Sequence, residues 1–193
     1  MMQCGRIVRA ASAAAPCGNR LFEREIEMNR RHWITRIGSF LTLTALPFAT
    51  GAAERVATLK KSQAEWKQLL SPAAFQVLFE EGTERAGSSP LNAEKREGTY
   101  ICAACANPLF GSHAKYESGT GWPSFWQPLA GAVDTTTDFK LIYPRTEYHC
   151  ARCGGHQGHV FSDGPQPTGK RYCNNGIALA FVPTGTALPA LRT

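Results

Sequence analysis

Two cysteine pairs of one spacing, Cys102-Ala-Ala-Cys105 and Cys150-Ala-Arg-Cys153, constrain the fold of this chain more than any other feature. With two residues between the thiols, both sulfurs of a pair can converge on one tetrahedral ion, so the two knuckles predict a single metal held by Cys102, Cys105, Cys150 and Cys153. Four thiolates close the coordination sphere, which makes this ion, read as one structural Zn2+, a staple and not a catalyst. The 44 residues from Ala106 to His149 exceed the span of a compact zinc ribbon, so the ion ties two hairpins of a larger domain. Two disulfides, or redox-active dithiols, are a competing reading of the same spacing, and it stays open at this point.

The residues around the knuckles read as an antiparallel β domain. After Gly98 come short runs rich in Tyr, Phe, Val, Ile and Thr, divided by Gly and Pro. The pattern predicts strands over Thr99–Cys102, Val133–Thr137, Phe139–Tyr143, His159–Phe161, Tyr172–Cys173 and Ile177–Phe181. In the last, Ile177, Leu179 and Phe181 alternate with Ala178 and Ala180. Two short helices precede the sheets. Ser62-Gln-Ala-Glu65 is a capping box that starts the first, running to about Leu70, and Ser71-Pro72 starts the second, which stops before Gly82. Arg85 to Arg96 reads as a surface loop, and the tail after Pro183 as frayed.

Charge separates the chain into two parts. The whole carries a net charge of +6 over 193 residues. Residues 1–53 hold seven Arg and no Lys against three Glu, leaving 14 basic and 12 acidic side chains for residues 54–193. A nucleic-acid binder carries its basic surplus on the folded part as a patch, and here only Lys60-Lys61 and Lys95-Arg96 form runs, so a nucleic-acid partner is not expected. From Met28 the order is a basic start, an apolar middle ending near Ala49, then small residues, which is the layout of a secretory signal. Arg30-Arg31 ahead of His32-Trp33-Ile34 resembles a twin-arginine export signal. Met28 is therefore read as a candidate start, with cleavage between Ala49 and Ala53, export to the periplasm, and residues 54–193 as a single mature domain whose core spans about 61–181. No run is long and apolar enough for a membrane anchor.

Cys4 and Cys17 lie outside that domain, and the knuckles account for four of the remaining five cysteines. The fifth, Cys173, follows Lys170-Arg171-Tyr172 and precedes Asn174-Asn175. Basic neighbours favour the thiolate, the form of cysteine that attacks. A lone cysteine can equally be a small buried hydrophobe. Its company is chemical, however: Gly155-His156-Gln157-Gly158-His159 lies upstream, and Gly121-Trp122-Pro123-Ser124-Phe125 further upstream.

Taken together, Cys102-x-x-Cys105, the Gly-Trp-Pro-Ser-Phe run at 121–125, Cys150-x-x-Cys153, His156-x-x-His159-Val-Phe and Arg171-Tyr-Cys173-x-Asn175 resemble the B-type methionine sulfoxide reductases, over about Lys61 to Phe181. The resemblance implies a mainly β fold. It consists of two small antiparallel sheets in an open, barrel-like β-tent core, with two short N-terminal helices and a structural zinc opposite the active site. It also implies the chemistry. The Cys173 thiolate attacks the sulfur of methionine-R-sulfoxide, Trp122 forms an apolar wall for the sulfur-bound methyl, and His156, His159 and Asn175 position and protonate the departing oxygen. Arg171 and Asp163 hold this network in place. Imidazole suits the protonation because it titrates near neutrality.

The product on the enzyme is a sulfenic acid, which a second thiol must reduce. Many family members carry a resolving cysteine in the Ser-Gly-x-Gly-Trp-Pro run, where this chain has Thr120. An external thiol, from a thioredoxin-like donor or a small molecule, is therefore expected to reduce Cys173 directly, with oxidised peptides or proteins as the other partner and the enzyme acting as a monomer. The loop at Ala86 to Arg96 lacks the longer, aromatic-containing insert of many relatives. Two other classes of function remain: a zinc-held binding module without catalysis, and a thiol peroxidase, which would leave His156, His159 and Trp122 without a role.

Overall fold

The computed structural model describes residues 56–139 and 143–193. The export-signal reading, the Met28 start and the boundary at residue 54 lie outside those residues. Helix α1 (Gln63–Leu69) begins on the predicted capping box: Ser62 Oγ accepts from the Glu65 N–H, and the Glu65 carboxylate accepts from the Ser62 N–H at 2.7 Å. Helix α2 (Pro72–Phe79) begins on Ser71, whose hydroxyl accepts from the Ala74 N–H, with Pro72 at the first position where its missing donor costs nothing. Trp66 of α1 is buried and stacks on Phe79 at 4.9 Å. Phe75, Val77 and Leu78 give α2 its buried face, which packs on a strand and a turn of the β domain. Among the described residues no helix is long and apolar enough to cross a membrane.

Among the described residues nine strands follow: β1 (Gly98–Cys102), β2 (Pro108–Gly111), β3 (Lys115–Tyr116), β4 (Ser124–Phe125), β5 (Val133–Asp138), β6 (Arg145–Cys150), β7 (His156–Phe161), β8 (Arg171–Asn174) and β9 (Leu179–Pro183). They form two antiparallel sheets, one ordered β2-β1-β9 and one ordered β3-β4-β8-β7-β6-β5. The core lies between them. Phe110 of the first sheet stacks on Phe125 of the second at 4.2 Å, and Tyr100 meets Phe125 edge-on at 4.9 Å. Tyr148 closes the cluster against Phe110. All four rings are buried, and aromatic groups of this size dominate the energetics of a small core.

Two expectations from the sequence change. The apolar run Phe139–Tyr143 is not a strand where it is described: β5 ends at Asp138, and Phe139 and Tyr143 are exposed outside regular structure. The next strand starts after Pro144, which lacks the N–H that a ladder needs, and it carries the more polar sequence Arg145–Cys150. The 177–181 segment opens as a 3₁₀ turn, Gly176–Ala178, and becomes β9 only at Leu179. That turn rotates Ala178 inward, so Ala178 is buried and the simple alternation fails. The loop before β1 also contains a 3₁₀ turn, Pro90–Asn92, and the tail is tied down where the Arg192 N–H donates to the Cys105 carbonyl.

Candidate active site and metal centre

The knuckles meet as their spacing predicts. Cys102 ends β1, Cys105 lies in the turn before β2, Cys150 ends β6, and Cys153 lies in the turn before β7. Their four sulfurs lie within 4.8 Å of one another. The closest pairs run between knuckles, Cys102 to Cys153 at 3.7 Å and Cys105 to Cys150 at 3.6 Å. A tetrahedron with metal–sulfur bonds of about 2.3 Å has edges of roughly 3.8 Å, whereas a disulfide needs about 2.05 Å. All four cysteines are free. Hydrogen bonds from the other sulfurs, Cys102 first, hold the Cys105 thiol far below its ordinary value. Two buried amides donate into the cage, Asn107 Nδ2 to Cys150 Sγ and Gln157 Nε2 to Cys102 Sγ, each at 3.6 Å. Such donors stabilise thiolates that ligate a metal. The cluster can thus hold a metal ion such as zinc.

Cys173 lies elsewhere, in β8 between two strands of the second sheet. Ser124 of β4 is its register partner on one side and His159 of β7 on the other. A cleft of about 130 Å³ opens there, lined by Cys173, Trp122, His159 and Asn175 together with Thr83 and Arg145. Gly158, next to His159, must be glycine because a Cβ would stand 1.9 Å from the Cys173 carbonyl oxygen. Gly121, ahead of Trp122, has φ +90°, and a Cβ there would meet Ala86 at 3.0 Å. The Trp122 indole N–H donates to the Glu84 carbonyl at 3.2 Å. The Asn175 side chain is oriented at both ends: its Oδ1 accepts from the Glu84 N–H at 3.1 Å, and its Nδ2 donates to the Gln157 carbonyl at 3.1 Å. One amide hydrogen is left over.

Of the predicted catalytic residues, Cys173, Trp122, His159 and Asn175 line the cleft, while His156, Arg171 and Asp163 are not part of its lining. His156 is buried and hydrogen-bonded through Nδ1 to Glu147 at 2.6 Å, its ring centroid 5.6 Å from that of His159. Burial pulls its imidazole below the ordinary value, against the opposing pull of Glu147. Arg171 makes a two-point pair with Asp163, both bonds 2.9 Å, and lies over the Phe161 ring at 4.2 Å. That pair holds the Asp163 carboxyl below its ordinary value. The Cys173 thiol is pushed above its ordinary value, because burial outweighs the opposing Arg171 charge and the Thr120 hydrogen bond. Arg171 therefore acts in the direction that its position in the sequence suggests, while the resting group is a thiol.

Alkylation of Cys173 by iodoacetamide, followed by peptide mass spectrometry, is accordingly expected to accelerate about tenfold per pH unit from pH 6 to 8, following the thiolate fraction. Arg171→Ala should slow it at every pH in that range. A rate plateau below pH 8 would contradict the burial argument.

Several site residues escaped the sequence reading. Asp138 is buried and accepts from both Arg145 Nη2 at 2.6 Å and His159 Nε2 at 2.9 Å, so it orients the histidine in the cleft. Glu147 does the same for His156. Both carboxylates face the histidines across β-sheet pairings that no local motif announces. The alternation in β6, which sets Glu147 opposite His159 in register, was the available signal.

The SelR domain profile matches residues 70–183. The chain is 50% identical over 124 residues to the peptide methionine sulfoxide reductase MsrB of Leptospira interrogans, an alignment that covers 64% of this chain and 95% of that protein. It is 51% identical over 126 residues to the MsrB of Pseudomonas savastanoi pv. phaseolicola, covering 65% and 96%. Against the chloroplastic peptide methionine sulfoxide reductase B1 of Arabidopsis thaliana, identity is 47% over 128 residues, covering 66% and 63%. With these matches lying over the thiol cleft and the four-cysteine cage alike, the chain belongs to the MsrB family of peptide methionine sulfoxide reductases.

Proposed function

We propose that the chain reduces the R-sulfoxide of methionine in peptides and proteins, with Cys173 as the nucleophile. The observation that carries this reading is the cleft itself, in which one thiol is flanked by the Trp122 indole, His159 and Asn175. Cys173 forms a bond to the sulfoxide sulfur while the oxygen takes up protons. His159, held by Asp138, and the spare amide hydrogen of Asn175 are the groups placed to deliver or steady them. The protonated oxygen leaves as water, so Cys173 is briefly bonded to the methionine sulfur as a sulfonium. A water then attacks the Cys173 sulfur, breaks that sulfur–sulfur bond and loses a proton, which releases methionine and leaves Cys173 as a sulfenic acid. Trp122 supplies the apolar wall for the methyl group, and His156 with Glu147, and Arg171 with Asp163, hold the surrounding side chains in position.

An external thiol then attacks the sulfenic acid, expelling water and leaving a mixed disulfide. A second thiol returns Cys173 to its reduced form. The support is the inventory of sulfur among residues 56–193, where every cysteine besides Cys173 belongs to the cage and Thr120 occupies the position of the resolving thiol. After one turnover without reductant, dimedone should label Cys173, and no intramolecular disulfide should form. Thr120→Cys is expected to abolish that labelling by forming one. Failure of the wild type to label after confirmed turnover would refute direct reduction.

Zinc is the metal best suited to four thiolates at tetrahedral spacing, and it would cross-link the two hairpins without touching substrate. The protein acts in the periplasm, a reading supported by the signal-like residues from Met28 and overturned by recovery only from the cytosolic fraction. The activity is tested by supplying peptides with R- or S-methionine sulfoxide, together with dithiothreitol or thioredoxin. Reduction of the R epimer alone is the expected result, and turnover of neither, or of both, would sink the proposal.

A further inference from the structure

Glu84 is bonded to both walls of the cleft. Its carboxylate accepts from two consecutive backbone donors, Gly176 N–H at 2.6 Å and Ile177 N–H at 2.9 Å, in the 3₁₀ turn that directly follows Cys173-Asn174-Asn175. Its own N–H donates to Asn175 Oδ1 at 3.1 Å, and its carbonyl accepts from the Trp122 indole N–H at 3.2 Å. Resting on the reductase reading, we propose that Glu84 is a positioning residue. It sets the separation between Trp122 and Asn175, and with it how closely the cleft fits the alkyl group on the sulfoxide sulfur.

The geometry gives the carboxylate a role that neutral side chains cannot fill. Bonds from backbone N–H to an ionised carboxylate are about twice as strong as neutral ones, and two of them fix Glu84 relative to the strand that carries the nucleophile. Its carbonyl then transmits that position to Trp122. The same segment grips the Trp122 loop a second time, where the Gly87 N–H donates to the Gly121 carbonyl at 2.7 Å. Glutamine has the same length as glutamate but a single acceptor oxygen, so its NH₂ would face one of the two turn donors and push the segment away. Trp122 would follow, and the cleft would widen on the side that meets the alkyl group.

Discrimination by an apolar wall is the readout, since one methylene in such a pocket is worth roughly 10- to 200-fold. The full chain is assayed with R-sulfoxides of N-acetylmethionine and N-acetylethionine, which differ by one methylene on sulfur. In Glu84→Gln the methyl-over-ethyl ratio of kcat/KM should fall at least about fivefold, chiefly through a raised KM for the methyl substrate. Alkylation of Cys173 should stay within about twofold of wild type, which separates a moved wall from a loosened nucleophile. A folded Glu84→Gln protein with the wild-type ratio would overturn the proposal. Should Glu84→Gln fail to fold, Glu84→Asp carries the test, because it keeps the charge but is one methylene too short to hold both turn N–H donors from the same backbone position. A fivefold fall in its ratio supports the proposal and an unchanged ratio overturns it. A wild-type protein inactive on both sulfoxides would instead sink the reductase reading, and the positioning role with it.

Discussion

Cys173→Ser is expected to lose R-sulfoxide reduction by at least about 10³-fold, the scale on which enzymes respond to removal of their nucleophile. A serine hydroxyl is a far weaker nucleophile than a thiol toward sulfur, and it cannot store the oxygen as a sulfenic acid. The protein should remain folded. Cys173 is half-buried on a strand already paired on both sides, and its replacement changes one atom. The thermal midpoint of the variant should therefore stay close to that of the wild type while dimedone labelling at position 173 disappears. The alternative of a non-catalytic zinc-held module predicts that this substitution changes nothing measurable, so retained activity in the variant would decide against the thiol mechanism.

Loss of the metal is expected to unfold the domain. A structural zinc contributes on the order of 10 kcal/mol of folding free energy, as large as the whole stability of a typical domain at about 5–15 kcal/mol. Three of the four cage cysteines are buried, and between them they join the end of β1 to the end of β6. Cys105→Ala should therefore bind less than one metal per chain, and its far-ultraviolet circular dichroism should melt at least about 10 °C lower, as should wild type stripped with a strong chelator. Metal analysis of the purified protein should give one zinc per chain with the four cage thiols released only on denaturation. A metal-free protein whose four cysteines resist alkylation after denaturation would establish two disulfides in place of the cage.

Local chemistry was legible in the sequence wherever neighbouring residues carried it. Ser62 with Glu65, and Ser71 with Pro72, mark helix starts through contacts spanning three residues, and both helices form there. The four cage cysteines were legible because two residues between thiols leave few other uses. Strands were less so. β2, β3 and β4 are short pieces between turns, too brief for alternation to show, and Phe139 with Tyr143 mimicked a strand by composition while the chain there leads into β6. At the site, Cys173, His159, Trp122 and Asn175 were found through motifs, and the structure gathers them in one cleft. Asp138, Glu147 and Glu84 were missed because each acts across a distance in sequence, 21 residues from Asp138 to His159 and 91 from Glu84 to Asn175. Acidic side chains in isolation look like solvated surface, and only the tertiary fold gives them partners.

The pairing of β1 with β9, in which Gly98 faces Pro183 and Cys102 faces Leu179, also governs when the protein can come into being. On the ribosome the first two cage thiols emerge long before the second two, and β1, which can pair with β2 at once, waits longer still for β9 on its other side. At about 5–20 residues per second, several seconds pass between synthesis of Cys102 and of Leu179. For that interval β1 can pair only with β2. The first sheet is thus completed only once β9 has been made, and a chain that stops before β9 leaves β1 paired with β2 alone.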